Sequence, residues 1–362
     1  MKTVLCFISK LSGGGAERQM CYLINFLAEK GYKVKVLTYD RTQGSDIRYI
    51  PLKGVEEDVH IHESFKPLLL LKLVLQIRRM KFDCLISYLE PNSNIAYLST
   101  WPRKKFKFIA SIRNAYEITD KIKKGMHYMS RVDYVVPNSI TMASYLKRAY
   151  PDKSNIIIPI LNFTDLNSLK PVEYKIRDKI VVCVFSRYVP QKNTTFLAEV
   201  LRQLRLDGFS QYEFHWYGSN KINNELTSSY LELKELVHKY DLEECFYLHG
   251  FVNNTLEIMC DCDVVSLPSF IEGLSNTIGE AICCGLPVIC SDVSDNKVMV
   301  KDGQNGFLFN PHNVASAVKA FEKFADLNED QRISMCKKSR MIAEELFCKE
   351  KFINDYCKII DD

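Results

Sequence analysis

The chain has 362 residues, 47% of them hydrophobic and 25% charged. That is too long for one ordinary core and too apolar for a disordered chain, so two globular domains are expected. The net charge of +4 hides a split: residues 1–170 hold 27 Lys and Arg against 15 Asp and Glu, and the remainder holds 21 against 29.

The basic excess is densest from Arg103 to Arg148 and suits an anionic partner: lipid headgroups, a diphosphate or nucleic acid. The apolar run within Met1–Ser9 is too short for a signal-peptide core. Pro67–Met80 is the most lipid-like stretch, but Lys72 interrupts it and Arg78 and Arg79 close it, short of a membrane span. The thirteen cysteines lack zinc-site spacing and read as buried thiols of a reducing compartment.

Taken in chain order, short apolar runs alternate with helical patterns. The first half predicts strands at Val4–Ile8, Lys33–Tyr39, Phe82–Leu89, Phe106–Ile112, Val132–Pro137 and Ile156–Leu161. A helix over Ala16–Lys30 is stopped by Gly31. After a polar, proline-bearing stretch at Lys170–Lys179 the series restarts. Strands are predicted at Ile180–Phe185, Tyr212–Tyr217, Phe246–His249, Val264–Leu267, Pro287–Cys290 and Phe307–Phe309, then helices around Asn328–Leu346 and Lys349–Ile360. Near-continuous apolar strands between helices predict parallel sheets covered on both faces. The expected class is α/β, two doubly wound Rossmann-like domains facing across a cleft. Their bounds are 1–169 and 170–347, with residues 348–362 able to cross back to the first domain. In such sheets, ligands sit beyond the carboxyl ends of the strands.

Three motifs fall at those ends. Gly13 to Arg18 reads GGGAER between the first strand and first helix, where Gly14 and Gly15 let backbone approach an anion. Phe185 to Asn193 carries Arg187 and Lys192 directly after a strand, a cation pair fitted to phosphate oxygens. Ser269 to Ala281 holds Glu272 in a loop and Glu280, placed in the first turn of a helix, where it could also form a capping box with Thr277. Between them Gly273, Leu274, Ser275, Asn276 and Thr277 offer backbone N–H groups to a phosphate. Gly218, and Gly250 with Phe251, end two further strands where a nucleotide could rest. Asp261-Cys262-Asp263 has the spacing of a D-x-D metal site but precedes a strand, at the wrong end for one. His60 and His62 could share one face of a strand, without a third ligand.

In this order the motifs resemble the retaining GT-B glycosyltransferases of family four, above all the Glu272-x7-Glu280 element. Segments such as "SRYVPQKN", "SIRN" and "VVPNS" are most similar to bacterial enzymes of capsule, O-antigen or lipid-linked oligosaccharide synthesis. The resemblance implies that the C-terminal domain binds a UDP- or GDP-linked sugar and the N-terminal domain an acceptor, a glycan or an undecaprenyl-diphosphate-linked one. Arg187 and Lys192 would hold the diphosphate, Glu272 the sugar and Glu280 the ribose. The Gly14–Gly15 loop would approach the phosphate. No metal or other cofactor is expected, nor a nucleic-acid partner. The expected location is the inner face of the cell membrane, on an anionic surface. Where many relatives carry a histidine, this sequence reads Ser111-Ile112-Arg113-Asn114, which makes Arg113 a candidate to meet a phosphate; the other reading is a structural ion pair. Ser275 stands where relatives often have proline. The alternatives are a nucleotide-sugar epimerase of the same fold and a non-catalytic sugar-nucleotide binding protein.

Overall fold

The computed structural model describes residues 1–12, 14–41, 50–114, 119–166, 169–171, 175, 177–222 and 224–362. Gly13 and residues 172–174 and 176 of the Lys170–Lys179 stretch lie outside them. The chain divides into two compact units: Met1–Phe163 with Cys348–Asp362, and Thr164–Phe347.

The first unit is built on six parallel strands: β1 (Thr3–Phe7), β2 (Lys33–Asp40), β3 (Val55–His62), β4 (Cys84–Tyr88), β5 (Lys107–Ile112) and β6 (Tyr134–Pro137). Their order is β3-β2-β1-β4-β5-β6, a doubly wound sheet. Alternate side chains enter two separate cores. Val4 and Cys6 of β1 join Leu23, Ile24 and Leu27 of the helix Gly15–Glu29. Leu5 and Phe7 join Leu69, Leu73 and Ile77 of the helix Lys66–Arg79. With both faces buried, the strands read as continuous apolar runs. The first helix ends where Gly31 takes φ +90°, a left-handed conformation open to glycine.

The sheet holds one strand beyond those predicted and lacks one that was. Val55–His62 is a strand at the sheet edge, with side chains alternating between half-buried and exposed. Ile156–Leu161 forms no strand: a 3₁₀ turn fills Pro151–Ile156, and Ile157 makes one bridge to Val135.

The last helix, Lys349–Asp361, belongs to this unit. It buries Phe352, Ile353, Tyr356, Ile359 and Ile360. Lys2 donates to the carbonyls of Ile360 and Asp361, and Lys107 to those of Ile359 and Ile360. Two ammonium groups thus cap the negative end of the helix.

The second unit repeats the plan. Its strands are β7 (Ile180–Phe185), β8 (Tyr212–Tyr217), a two-residue hairpin of β9 (Lys221–Ile222) and β10 (Glu225–Leu226), then β11 (Phe246–Leu248), β12 (Val264–Leu267), β13 (Val288–Ser291) and β14 (Gly306–Phe309). The main sheet runs β11-β8-β7-β12-β13-β14, all parallel. Its core joins Val182, Val184, Phe214 and Trp216 to helices such as Phe196–Leu206 and Val314–Ala325. Cys183 and Cys262 are joined as a disulfide, against the expectation of thiols throughout.

Candidate functional site

In an open doubly wound sheet the ligand crevice opens where successive crossovers leave in opposite directions. In the second unit that point lies between β7 and β12, which are hydrogen-bonded neighbours.

The loop leaving β7 is fastened from inside. Tyr188 is fully buried, and its hydroxyl lies 2.7 Å from the Trp216 carbonyl and 2.9 Å from that of His249. Trp216 Nε1 donates back to the Ser186 carbonyl at 2.9 Å. A single 3₁₀ turn, Pro190–Lys192, then ends at Asn193 with φ +51°, whose side chain donates to the Pro311 carbonyl at 2.9 Å. Lys192 therefore sits on an anchored turn, while Arg187 is exposed between Ser186 and buried Tyr188.

The loop leaving β12 meets that turn. Lys192 Nζ lies 2.5 Å from Glu272 Oε1, and Ser269 Oγ donates to the same oxygen at 2.6 Å. Glu272 is 8% exposed. Gln191 stitches the loops together: its Nε2 donates to the Ile271 carbonyl at 2.9 Å, and its own carbonyl accepts from Phe270 N at 3.0 Å. Ser291 Oγ holds the Ser269 carbonyl at 2.7 Å. A buried carboxylate is tolerable here because an ammonium and a hydroxyl both reach it.

The helix Asn276–Cys283 starts just beyond. Its N-cap is Ser275, whose Oγ accepts from Ile278 N at 3.4 Å. Thr277 forms no capping box; its hydroxyl donates to the Phe185 carbonyl at the end of β7. Glu280 therefore lies in the second turn, half-buried, two residues deeper than expected. Leu274 sends its side chain into the interior, and Gly273 is half-buried. The helix still directs the positive end of its dipole toward the crevice.

The other glycine positions extend the same edge. Gly218 packs so closely on the Ser186 carbonyl that a Cβ would stand 1.9 Å from it, and its N–H donates to the Gly250 carbonyl. Phe251 is 71% exposed beside them. Tyr217 and His249 stack with centroids 4.2 Å apart. Burial pushes the pKa of His215 down to about 4 and lowers that of His249, so both rings are neutral at pH 7. The sheet order thus sets Phe251, Gly250, Gly218, Arg187, Lys192 and Glu272 along one rim.

Asp263 is buried, accepts from Val181 N at 2.8 Å and pairs with Arg177 at 3.1 Å. Asp261 also faces Arg177, at 3.6 Å. His60 and His62 both turn toward Asp40, at 3.6 Å and 2.6 Å. Among the described residues, no group of three or more His, Cys, Asp or Glu is arranged to hold a metal.

In the first unit, Gly14 is the N-cap of the helix Gly15–Glu29, with the Glu17 carboxylate folded over it. Arg113 leaves the end of β5 and is 8% exposed. It donates to Asn162 Oδ1 at 2.8 Å and to the Tyr356 hydroxyl at 2.5 Å, with its Cζ 4.1 Å from the centroid of the Tyr88 ring. Tyr88 and Tyr356 share a hydrogen bond of 3.0 Å. Among the described residues no carboxylate pairs with Arg113, so the structural ion pair is not formed, and its Nε is buried without a partner. No local pattern marks Tyr356, which lies 243 positions away, or Ser269 as support for Glu272.

Two family models together match residues 13–340: Glycosyltransferase Family 4 over residues 13–168, and Glycosyl transferases group 1 over 168–340. Over 379 residues, 99% of this chain and 100% of the relative, the sequence is 22% identical to N-acetylgalactosamine-N,N'-diacetylbacillosaminyl-diphospho-undecaprenol 4-alpha-N-acetylgalactosaminyltransferase of Campylobacter jejuni. It is 27% identical to UDP-Gal:alpha-D-GlcNAc-diphosphoundecaprenol alpha-1,3-galactosyltransferase of Escherichia coli, over 58% of this chain and 53% of that one. In fold it is similar to a Rickettsia africae glycosyltransferase (TM-score 0.82, 17% identity, 99% and 98% covered) and to Anabaena HepE in complex with UDP and glucose (TM-score 0.81, 16% identity, 100% of both chains). These matches carry the transferase reading over the epimerase alternative. The chain is a GT-B glycosyltransferase, a member of the family that joins a Glycosyltransferase Family 4 half to a Glycosyl transferases group 1 half.

Proposed function

We propose that this transferase is retaining and metal-independent, and moves a hexose from a nucleoside-diphosphate sugar to a lipid-linked glycan acceptor in bacterial surface polysaccharide synthesis. The second unit takes the donor and the first unit the acceptor. The observation that carries the reading is the Lys192–Glu272 pair at the β7/β12 switch point, with exposed Arg187 beside it. Two cations and a helix start supply the positive field that a departing diphosphate needs, which is the work a metal ion does elsewhere. Glu272, held by Ser269 and Lys192, accepts hydrogen bonds from sugar hydroxyls. Glu280 takes the ribose diol, and the rim from Gly218 to Phe251 takes the base.

In the transfer step the bond from the anomeric carbon to the phosphate oxygen breaks. A bond to the acceptor oxygen forms on the same face, and the acceptor proton passes to the leaving phosphate oxygen. Arg113 faces the acceptor's phosphate. The names of the Campylobacter and Escherichia relatives, both acting on diphospho-undecaprenol glycans, support the acceptor class. The Anabaena complex supports a uridine nucleotide. The protein works from the cytoplasmic face, peripheral to an anionic membrane. Among the described residues no helix is long and apolar enough to cross one.

The test is transfer from radiolabelled UDP-sugars and GDP-sugars to polyprenyl-diphosphate glycans, with the product's anomeric configuration read by NMR. An α-linked product from an α-linked donor, formed in the presence of a chelator, agrees with the proposal. Inversion, or activity abolished by the chelator, contradicts it.

A further inference from the structure

The second sheet carries a cavity that the donor site does not use. It has a volume of about 570 Å³ and lies against β13 and β14, with Asp292, Asp302, Asn310 and His312 in its wall. Strand order fixes its place along the sheet. The rim given to the base ends β8 and β11, and the Lys192–Glu272 pair follows β7 and β12. The cavity comes next, on the side of that pair away from the base rim.

Its wall is fastened to the loops that carry the pair. Asn193, next to Lys192, donates to the Pro311 carbonyl at 2.9 Å, and Ser294 of the Asp292 loop accepts from Glu272 N at 3.3 Å. Phe270 lies on the Glu272 loop and is 40% exposed. It stacks on the His312 ring with centroids 5.0 Å apart, so the imidazole is backed by a second flat ring. The acids are placed by backbone. Asp292 N donates to the Phe309 carbonyl at 2.7 Å, and Asp302 Oδ1 accepts from Leu308 N at 2.8 Å. Both are exposed, and among the described residues neither pairs with a cation.

Two unpaired carboxylates repel a phosphate or any other acid. A flat ring beside hydrogen-bond acceptors suits a sugar instead: its C–H face packs on the ring, and its hydroxyls donate to the carboxylates. The volume falls in the range of about 300–1,000 Å³ typical of small-molecule sites. We infer that this cavity is a second sugar subsite on the donor-binding unit, taking a neutral ring of the glycan acceptor beyond the one that receives the new sugar. This rests on the glycan acceptor proposed above and gives the second unit a part in reading that glycan.

The experiment is NMR of the His312 imidazole in the full chain, assigned with His312→Gln. Neutral di- and trisaccharides of galactose, glucose, N-acetylglucosamine and N-acetylgalactosamine are added without nucleotide. At least one is expected to shift the signal, approaching saturation as free sugar rises to roughly 50 mM. Asp292→Asn should weaken that binding about tenfold, the worth of one hydrogen bond to a charged acceptor. Asp292 is exposed, so the variant should melt with the wild type and keep whatever thermal stabilisation a UDP- or GDP-sugar gives. No donor and no transfer are needed, so failure of the transferase reading leaves this result standing. A His312 signal unmoved by every sugar overturns the inference. So does a shift that a UDP- or GDP-sugar displaces, which marks the donor's own sugar, or one that calcium alone reproduces, which marks a cation site.

Discussion

Lys192 and Glu272 lie 80 residues apart in the chain, yet their charged ends meet at 2.5 Å. One comes from the turn after β7 and the other from the loop after β12, so the contact exists only because those strands are neighbours. It sets a cation fitted to a diphosphate against a carboxylate fitted to a sugar, at the place where an open sheet binds ligands.

The first prediction concerns that pair. Lys192→Ala and Glu272→Gln should each lower kcat by about 10²–10³-fold, the cost of removing one preorganised electrostatic contact. Because the two side chains touch, the double variant should lose less than the product of the single losses. A multiplicative loss in steady-state transfer assays would mean that they act independently.

Gly218 tests backbone packing. A methyl there would stand 1.9 Å from the Ser186 carbonyl, which Trp216 already holds. Gly218→Ala should cost about 1–3 kcal/mol of stability, as overpacking does. It should also raise the KM for the donor by displacing the Arg187 loop. Denaturant unfolding and donor titration check the two halves.

The first unit's buried arginine depends on the chain terminus. Tyr356→Phe removes the hydroxyl that Arg113 and Tyr88 share, leaving a guanidinium N–H buried without a partner. The expected cost is about 1–3 kcal/mol. Truncation after Phe347 removes five buried side chains from the same core and should leave the first unit unfolded, read by limited proteolysis.

A pH dependence follows from His215 and His249. Their folded pKa values are depressed, to about 4 for His215, against 6.5 unfolded. The unfolded chain therefore binds more protons below pH 6.5, and stability declines as pH falls from 6.5 toward 4. Stability above pH 6.5 should be insensitive to these rings. His215→Phe should flatten the decline, measured by melting temperature across that range.

Much of this was legible because both sheets are covered on two faces, which makes their strands apolar runs such as Ile180–Phe185. The motifs were legible because glycines, cations and carboxylates at strand ends have few structural uses. Val55–His62 escaped because an edge strand with one wet face reads VEEDVHIH, too charged for that template. Ile156–Leu161 misled in the other direction: its apolar side chains pack on the core while its backbone makes a single bridge. Ser275 rather than Thr277 caps the helix, which moves Glu280 two residues deeper; two residues of register are below what an S-x-T-x-x-E string resolves. The Arg113–Tyr356 contact needs the last helix to pack on the first unit, and no local pattern encodes that.

The central claim is that the rim of the second unit grips a nucleoside diphosphate through Arg187 and Lys192. Thermal unfolding with UDP- and GDP-sugars tests it without knowledge of the acceptor. A bound donor at about 100 times its Kd should stabilise the wild type by about 2.7 kcal/mol, and Arg187→Ala with Lys192→Ala should abolish that gain. An undiminished gain in the double variant would contradict the account.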